Sequence, residues 1–332
     1  MLTIGYKASA EQFAPPRLLD YAVLAEELGF DSVAVSDHFH PWRDTGGHAP
    51  FALSWLGALT QRTSRVRMGT SVAAPAYRYH PALIAQAFAT LDQLAPGRLF
   101  LGLGSGESMN ETPVTVAEWP SPGERLRRLA ESVKVIRMLW TDDYVTFEGR
   151  HVRVKDAKIF DKPVRPIPIL TAASGPKAAE QAGRDADGLI VTSGKGQELY
   201  RDVLLPNFTK GARDAGKDPA SAELMIEMKV SFDTDRERAM RDTQEWAALA
   251  LPGEDKAGVE DPREMERRAE SAKDRAHTRF IVSTDPEEHV EKMRPYLGLG
   301  FRHLVFHFPG EDQEHAMRLY AKEVVPRLRR LS

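Results

Sequence analysis

The sequence predicts a (β/α)8 barrel, an α/β fold. Short apolar, β-branched runs alternate with longer helical patterns along the whole chain. The runs number eight, and no shift in composition divides the chain. An open, doubly wound sheet is the competing α/β arrangement. The barrel accommodates residues 1–332 as a single domain, a length that barrels of this kind commonly reach.

The first strand is read at Leu2 to Tyr6. A helix follows, opened by Pro15-Pro16 and ended by Gly29, the residue type preferred just past a helix. Ser32 to Ser36 is the second strand, Val66 to Val72 the third and Leu99 to Leu103 the fourth. Helical patterns lie between them around 51–62 and 81–94. Ser121-Pro122-Gly123-Glu124 reads as a capping box with proline at the first helical position, opening a helix to about Trp140. Tyr144 to Ile159 alternates around Glu148-Gly149, which predicts a β-hairpin inserted near 141–160. Pro168 to Ala172, Gly188 to Thr192 and Leu224 to Phe232 are strands five to seven. A helix is expected from about Asp235 to Leu249. A polar, charge-rich insertion occupies 250–280, and Asp285-Pro286-Glu287-Glu288 starts another helix. His303 to Phe308 is the eighth strand, and a basic helix closes the chain.

The totals exclude several chemistries. The chain has no cysteine, so disulfides, thiolate zinc sites, iron–sulfur clusters and a cysteine nucleophile are ruled out. Net charge is -3, which does not suggest a nucleic-acid partner. No basic start followed by an apolar run is visible, so no signal peptide is expected. No run approaches the ~20 apolar residues of a membrane span.

Barrel chemistry sits at the C-terminal ends of the strands, so the polar residues just after each strand are the candidates. Ser36-Asp37-His38-Phe39-His40-Pro41-Trp42 follows the second strand. His38 could exchange a proton near neutral pH, or be a loop histidine with a packing role. Gly102-Leu103-Gly104-Ser105-Gly106-Glu107-Ser108-Met109-Asn110 follows the fourth. Its glycines let backbone approach a ligand, or simply make a tight loop. The run lacks the position and helix context of a dinucleotide fingerprint. Glu107 is either a cap or, in an apolar pocket, an acid of raised pKa. Thr192-Ser193-Gly194-Lys195-Gly196 follows the sixth strand, ahead of a helix expected near Gln197. It could be an anion site or an ordinary helix start with a solvated lysine. Lys256 and Arg279 lie in or just after the late insertion, and sequence spacing does not decide whether they converge with Thr192 and Lys195. No metal site stands out: His303 and His307 are i, i+4 on a strand, without HExxH helix geometry.

Taken together, these motifs resemble the F420-dependent glucose-6-phosphate dehydrogenases, within the bacterial-luciferase-like superfamily of barrels. The resemblance is carried by Gly5-Tyr6-Lys7-Ala8-Ser9-Ala10-Glu11-Gln12-Phe13, by the Ser36–Trp42 run and by Gly46-Gly47-His48-Ala49-Pro50-Phe51. Gly69-Thr70-Ser71-Val72, Gly104-Ser105-Gly106-Glu107, the Thr192–Gly196 run and His303-Leu304-Val305-Phe306-His307 add to it. It spans essentially the whole chain.

The resemblance implies coenzyme F420 as cofactor and a sugar phosphate as substrate. The implied reaction is oxidation of glucose 6-phosphate to 6-phosphogluconolactone, hydride passing from sugar C1 to C5 of F420. Asp37, Ser71, Val72, Ala74, Gly106, Glu107 and Asn110 would line the coenzyme pocket, with a non-prolyl cis bond at Ser71–Val72. His38 would be the base at the C1 hydroxyl, Glu107 would manage a proton of the coenzyme, and Trp42 and Glu11 would shape the catalytic site. Thr192, Lys195, Lys256 and Arg279 would bind the phosphate. A homodimer in the cytoplasm is expected, with neither membrane nor nucleic-acid partner. Ser105 stands where the family favours threonine, and the insertion around Lys256 matches only loosely, so fructose or mannose 6-phosphate are alternative substrates. A non-phosphorylated alcohol, an FMN-dependent monooxygenase and a non-catalytic deazaflavin carrier are the competing functions.

Overall fold

The computed structural model describes residues 2–75 and 77–331. Eleven strands occur among them: β1 (Thr3–Ala8), β2 (Ser32–Val35), β3 (Arg67–Thr70), β4 (Leu99–Leu103), β5 (Val145–Glu148), β6 (Arg153–Ala157), β7 (Ile169–Ala172), β8 (Gly188–Thr192), β9 (Glu223–Phe232), β10 (Ile281–Ser283) and β11 (His303–His307). The order β9-β11-β1-β2-β3-β4-β7-β8 closes through a β8–β9 pairing, and every pairing in that ring is parallel. The closed ring decides for the barrel against the open sheet.

The sequence reading located all eight barrel strands, with shifted ends. β1 runs on to Ala8, two residues past the expected Tyr6, while β3 stops at Thr70 instead of reaching Val72. A ninth parallel strand was not foreseen: β10 pairs with β9 outside the ring, and with three residues it is too short to leave a pattern. β5 and β6 form the expected antiparallel hairpin.

Helices cover the outside of the barrel. Many begin with proline in the first turn, where its missing N–H costs nothing: Pro15–Glu27, Pro81–Leu94, Pro122–Thr141, Pro176–Asp185 and Pro286–Gly298. Ser121 does cap its helix, accepting from the Glu124 backbone N–H at 3.4 Å. The helix expected over 235–249 changes character. It is α-helical over Arg236–Asp242, then continues as a 3₁₀ segment, Thr243–Ala250, with a kink at Trp246. The late insertion is itself helical, with segments Gly253–Lys256, Pro262–Glu270 and Lys273–Arg279. A small core of Met109, Leu251, Val259, Met265 and Ala272, with Trp42 packed against it, seats the insertion at the barrel mouth. Among the described residues no helix is long and apolar enough to cross a membrane.

The barrel interior is layered, because alternate residues of each strand point inward. At mid-height Ala34, Phe100, Leu170, Ile190, Met225 and Val305 form an apolar plug. Below it, His303 contacts Ser32 Oγ at 2.6 Å and Glu223 at 2.7 Å, and Arg67 binds Glu223 through two bonds of 3.0 Å. Gly5 leaves room for the Ser32–His303 contact, since a Cβ there would stand 2.5 Å from Ser32 Oγ. Above the plug the inward positions turn polar and open into the site.

Candidate active site

A cavity of about 340 Å³ opens at the C-terminal ends of the strands. Its wall takes Asp37 and His38 from the loop after β2, Ser71, Val72 and Ala74 from the segment after β3, and Gly104 to Glu107 with Asn110 from the segment after β4. Thr192 and Lys195 come from the end of β8 and the loop beyond it.

His38 stands against Glu11. Nδ1 and Oε1 are 3.1 Å apart, though without the alignment of a hydrogen bond. Glu11 is buried and also accepts the Ser36 hydroxyl at 2.6 Å. Burial works to raise the Glu11 pKa, but His38, Lys7 and the Ser36 bond outweigh it and hold the carboxyl below its usual range. Glu11 therefore stays ionised behind the ring. With Nδ1 turned to Glu11, Nε2 is the ring nitrogen left for a substrate. Trp42 flanks His38, the ring centroids 6.3 Å apart.

Asp37 is locked from behind. It accepts from Arg78 at 3.0 Å and from the Tyr79 hydroxyl at 2.9 Å, and Arg78 reaches on to the buried Glu111. Burial and the Asp37 charge push the Tyr79 hydroxyl up, so it remains a donor. Asn110 is buried and braces the β2 loop, its side-chain oxygen accepting from the backbone N–H groups of Phe39 and His40 at 2.9 and 3.1 Å.

The Ser71–Val72 peptide bond is cis, as the resemblance implies. Lys7, itself buried, donates to the Ser71 carbonyl at 2.6 Å. Opposite lies the segment after β4. Gly106 has φ +82°, and a Cβ on Gly104 would meet Val72 at 2.6 Å. One expectation fails here. The glycine run does lead into a helix, Ser108–Thr115, so helix context is present. Glu107 is exposed rather than enclosed by apolar groups, and its contact is Asn110 at 3.3 Å.

The four phosphate candidates divide in distance from the cavity. Thr192 and Lys195 line it; Lys256 and Arg279 come from the late insertion and its last helical segment. The three cations feel one another: burial and then Arg279 push the Lys195 pKa down, and burial, Arg279 and Lys195 do the same to Lys256. Arg279 keeps a buried Nε without a hydrogen-bond partner. Side chains separated by up to 84 residues in sequence thus interact as one cationic group, which spacing alone could not reveal.

Comparison with known proteins places this geometry. A family model described as luciferase-like monooxygenase matches residues 2–303. The chain belongs to this luciferase-like family. It is 58% identical over 331 residues to a protein of Nakamurella multipartita named F420-dependent glucose-6-phosphate dehydrogenase, covering 99% of this chain and 97% of that one. A protein of the same name from Amycolatopsis mediterranei is 52% identical over the full length of both chains. A solved F420-dependent secondary alcohol dehydrogenase, in complex with an F420–acetone adduct, superposes with a TM-score of 0.92 at 37% identity, over 98% of this chain and 99% of that one.

Three polar residues at the mouth were given no role by the sequence reading: Glu227 and Lys229 lie inside a strand, and Lys7 was named only within the Gly5–Phe13 run. Lys7 on β1 and Glu227 and Lys229 on β9 all point into the barrel and are buried. The available signal was the alternation of Glu227 and Lys229 with apolar neighbours on an otherwise fully buried strand.

Proposed function

We propose that this chain catalyses the F420-dependent oxidation of glucose 6-phosphate to 6-phosphogluconolactone. The observation that carries the proposal is one cavity lined by both His38, with Glu11 behind its ring, and Lys195, with which Lys256 and Arg279 interact electrostatically. The full-length likeness to dehydrogenases of that name supports it.

The residues present fit a flat coenzyme with polar edges. Gly104 and Gly106 keep side chains out of the wall facing Val72 and Ala74, and Asp37, Glu107 and Asn110 supply polar groups beside them. Bound there, the deazaflavin supplies an acceptor for the hydride that leaves sugar C1. His38 Nε2 takes the proton of the C1 hydroxyl, and ionised Glu11 stabilises the imidazolium that results. Glu107 would stand at the coenzyme's edge, where its exposure allows proton exchange with solvent. Trp42 closes the side of the site next to His38. Thr192, Lys195, Lys256 and Arg279 hold the phosphate, so binding energy far from C1 fixes the reacting carbon in place.

A non-phosphorylated alcohol is the substrate class of the structural neighbour, but it would leave three clustered cations without an anion. The enzyme is read as a cytoplasmic homodimer, a compartment where charge retains a phosphorylated sugar. Light scattering should then give about twice the 37.0 kDa of one chain.

The primary test mixes the protein with oxidised F420 and, separately, glucose, fructose or mannose 6-phosphate or isopropanol, and follows bleaching of the coenzyme. Bleaching by glucose 6-phosphate above the others is expected; bleaching by isopropanol alone overturns the phosphate assignment. His38→Ala should cut kcat at least 100-fold while leaving coenzyme affinity nearly intact, general-base loss being worth about 10²–10⁴. An unchanged kcat removes His38 from the chemistry.

A further inference from the structure

The barrel mouth holds an ionised carboxylate to which the reading above gives no task. Glu227 sits on β9, and its Cα is in register with Thr192 of β8, one of the phosphate candidates. Its side chain lines the same cavity as His38 and Lys195, and is 11% exposed. The carboxylate has three basic neighbours: Lys7 at 3.5 Å, Lys229 at 3.4 Å and His307 at 3.5 Å. At these lengths the contacts are ion pairs more than well-formed hydrogen bonds: the Lys7 hydrogen bond goes to Ser71, and both ring nitrogens of His307 lack a well-aligned partner. Burial works to raise the Glu227 pKa, but Lys229, Lys7 and His307 outweigh it and hold the group well below the usual carboxylate range.

An ionised carboxylate offers acceptor sites for about four hydrogen bonds. Here its basic neighbours stand at 3.4–3.5 Å, and the cavity that the side chain lines is the side from which closer donors can arrive. A monofunctional alcohol has one hydroxyl, which the reaction itself occupies. A sugar phosphate brings hydroxyls between its reacting carbon and its phosphate. Glu227 lines the cavity that also holds His38 and the phosphate candidates Thr192 and Lys195.

We propose that Glu227 is a specificity-determining residue that accepts hydrogen bonds from the non-reacting hydroxyls of the bound sugar. Lys7 and Lys229 hold it ionised and aimed inward. The assignment rests on the sugar-phosphate reading given above and deepens it, because it explains how the site separates a polyol phosphate from a simple alcohol. A hydroxyl bonded to a charged acceptor should contribute roughly 10- to 100-fold to affinity.

The test is calorimetric and needs no turnover. The protein is saturated with reduced F420 and titrated with inorganic phosphate, glucose 6-phosphate and its 2-, 3- and 4-deoxy analogues. Wild type should prefer glucose 6-phosphate to at least one deoxy analogue by roughly 10-fold or more. Glu227→Gln should abolish that preference while inorganic phosphate still binds. Glu227→Asp keeps the charge balance but withdraws the carboxylate, and should lose the preference too, which covers a Gln variant that does not fold. Variants that keep the preference, or that lose inorganic phosphate to the same degree as the sugar, overturn the assignment and leave Glu227 a counterion. If wild type bleaches oxidised F420 with glucose 6-phosphate and the variants still discriminate, this assignment alone falls. If wild type neither bleaches it nor binds the sugar phosphate better than inorganic phosphate, the parent reading falls with it.

Discussion

Acid should loosen this barrel from below, through Glu223. Burial pushes that carboxyl up, but the hydrogen bonds from His303 and Arg67 outweigh it and bring the pKa down from 4.5 to about 2. A carboxylate held low in the folded state contributes stability above its unfolded pKa and loses it as pH falls through the folded one. The displacement corresponds to about 3 kcal/mol at most, and partial exposure of Arg67 and Glu223 trims it. Glu223→Gln removes the titration but keeps the shape. In urea denaturation, wild type should exceed the variant in the neutral range, and the gap should close by about 2 kcal/mol between pH 6 and pH 3. A gap that stays constant across that range refutes the reasoning, because the two bonds would then be insensitive to the charge of Glu223.

Phe100 is fully buried in the mid-height plug, so Phe100→Ala should cost about 3–5 kcal/mol of unfolding free energy, read from the urea midpoint. Asp285 accepts the Glu287 backbone N–H at 2.9 Å as a helix cap, and Asp285→Ala should cost about 1 kcal/mol in the same assay. Arg279→Ala should weaken inorganic phosphate binding by about 2 kcal/mol, close to 30-fold, with F420 affinity unchanged in a fluorescence titration. An equal loss of F420 affinity would move Arg279 out of the anion site.

The fold was legible because a barrel repeats one signal eight times. The apolar run and the following helix are local, and Pro15, Pro122 and Pro286 mark helix starts from within one turn. Residues just after strands were legible too: His38, Gly106 and Thr192 fall where the fold puts chemistry. What stayed hidden is set by closure of the ring. The meeting of Lys195 with Lys256 and Arg279 depends on how the late insertion docks, which is decided by the packing of Met109, Val259 and Met265 and not by any local pattern. Glu227 and Lys229 were passed over because a charge inside an apolar strand reads as an interruption until its neighbours on the adjoining strands, Lys7 and His307, are known. For Glu107 the sequence left two readings open, and the structure puts it at the N-cap position of Ser108–Thr115, exposed at the cavity wall.

The small core beneath the late insertion has a mechanical consequence. Met109 belongs to the helix after β4; Val259 and Met265 belong to the insertion that carries Lys256; and Trp42, beside His38, packs against the cluster they form. Three loops that would otherwise move independently share one set of contacts. The segments that carry Lys256, Trp42 and Met109 are therefore tied to one another through that one apolar cluster.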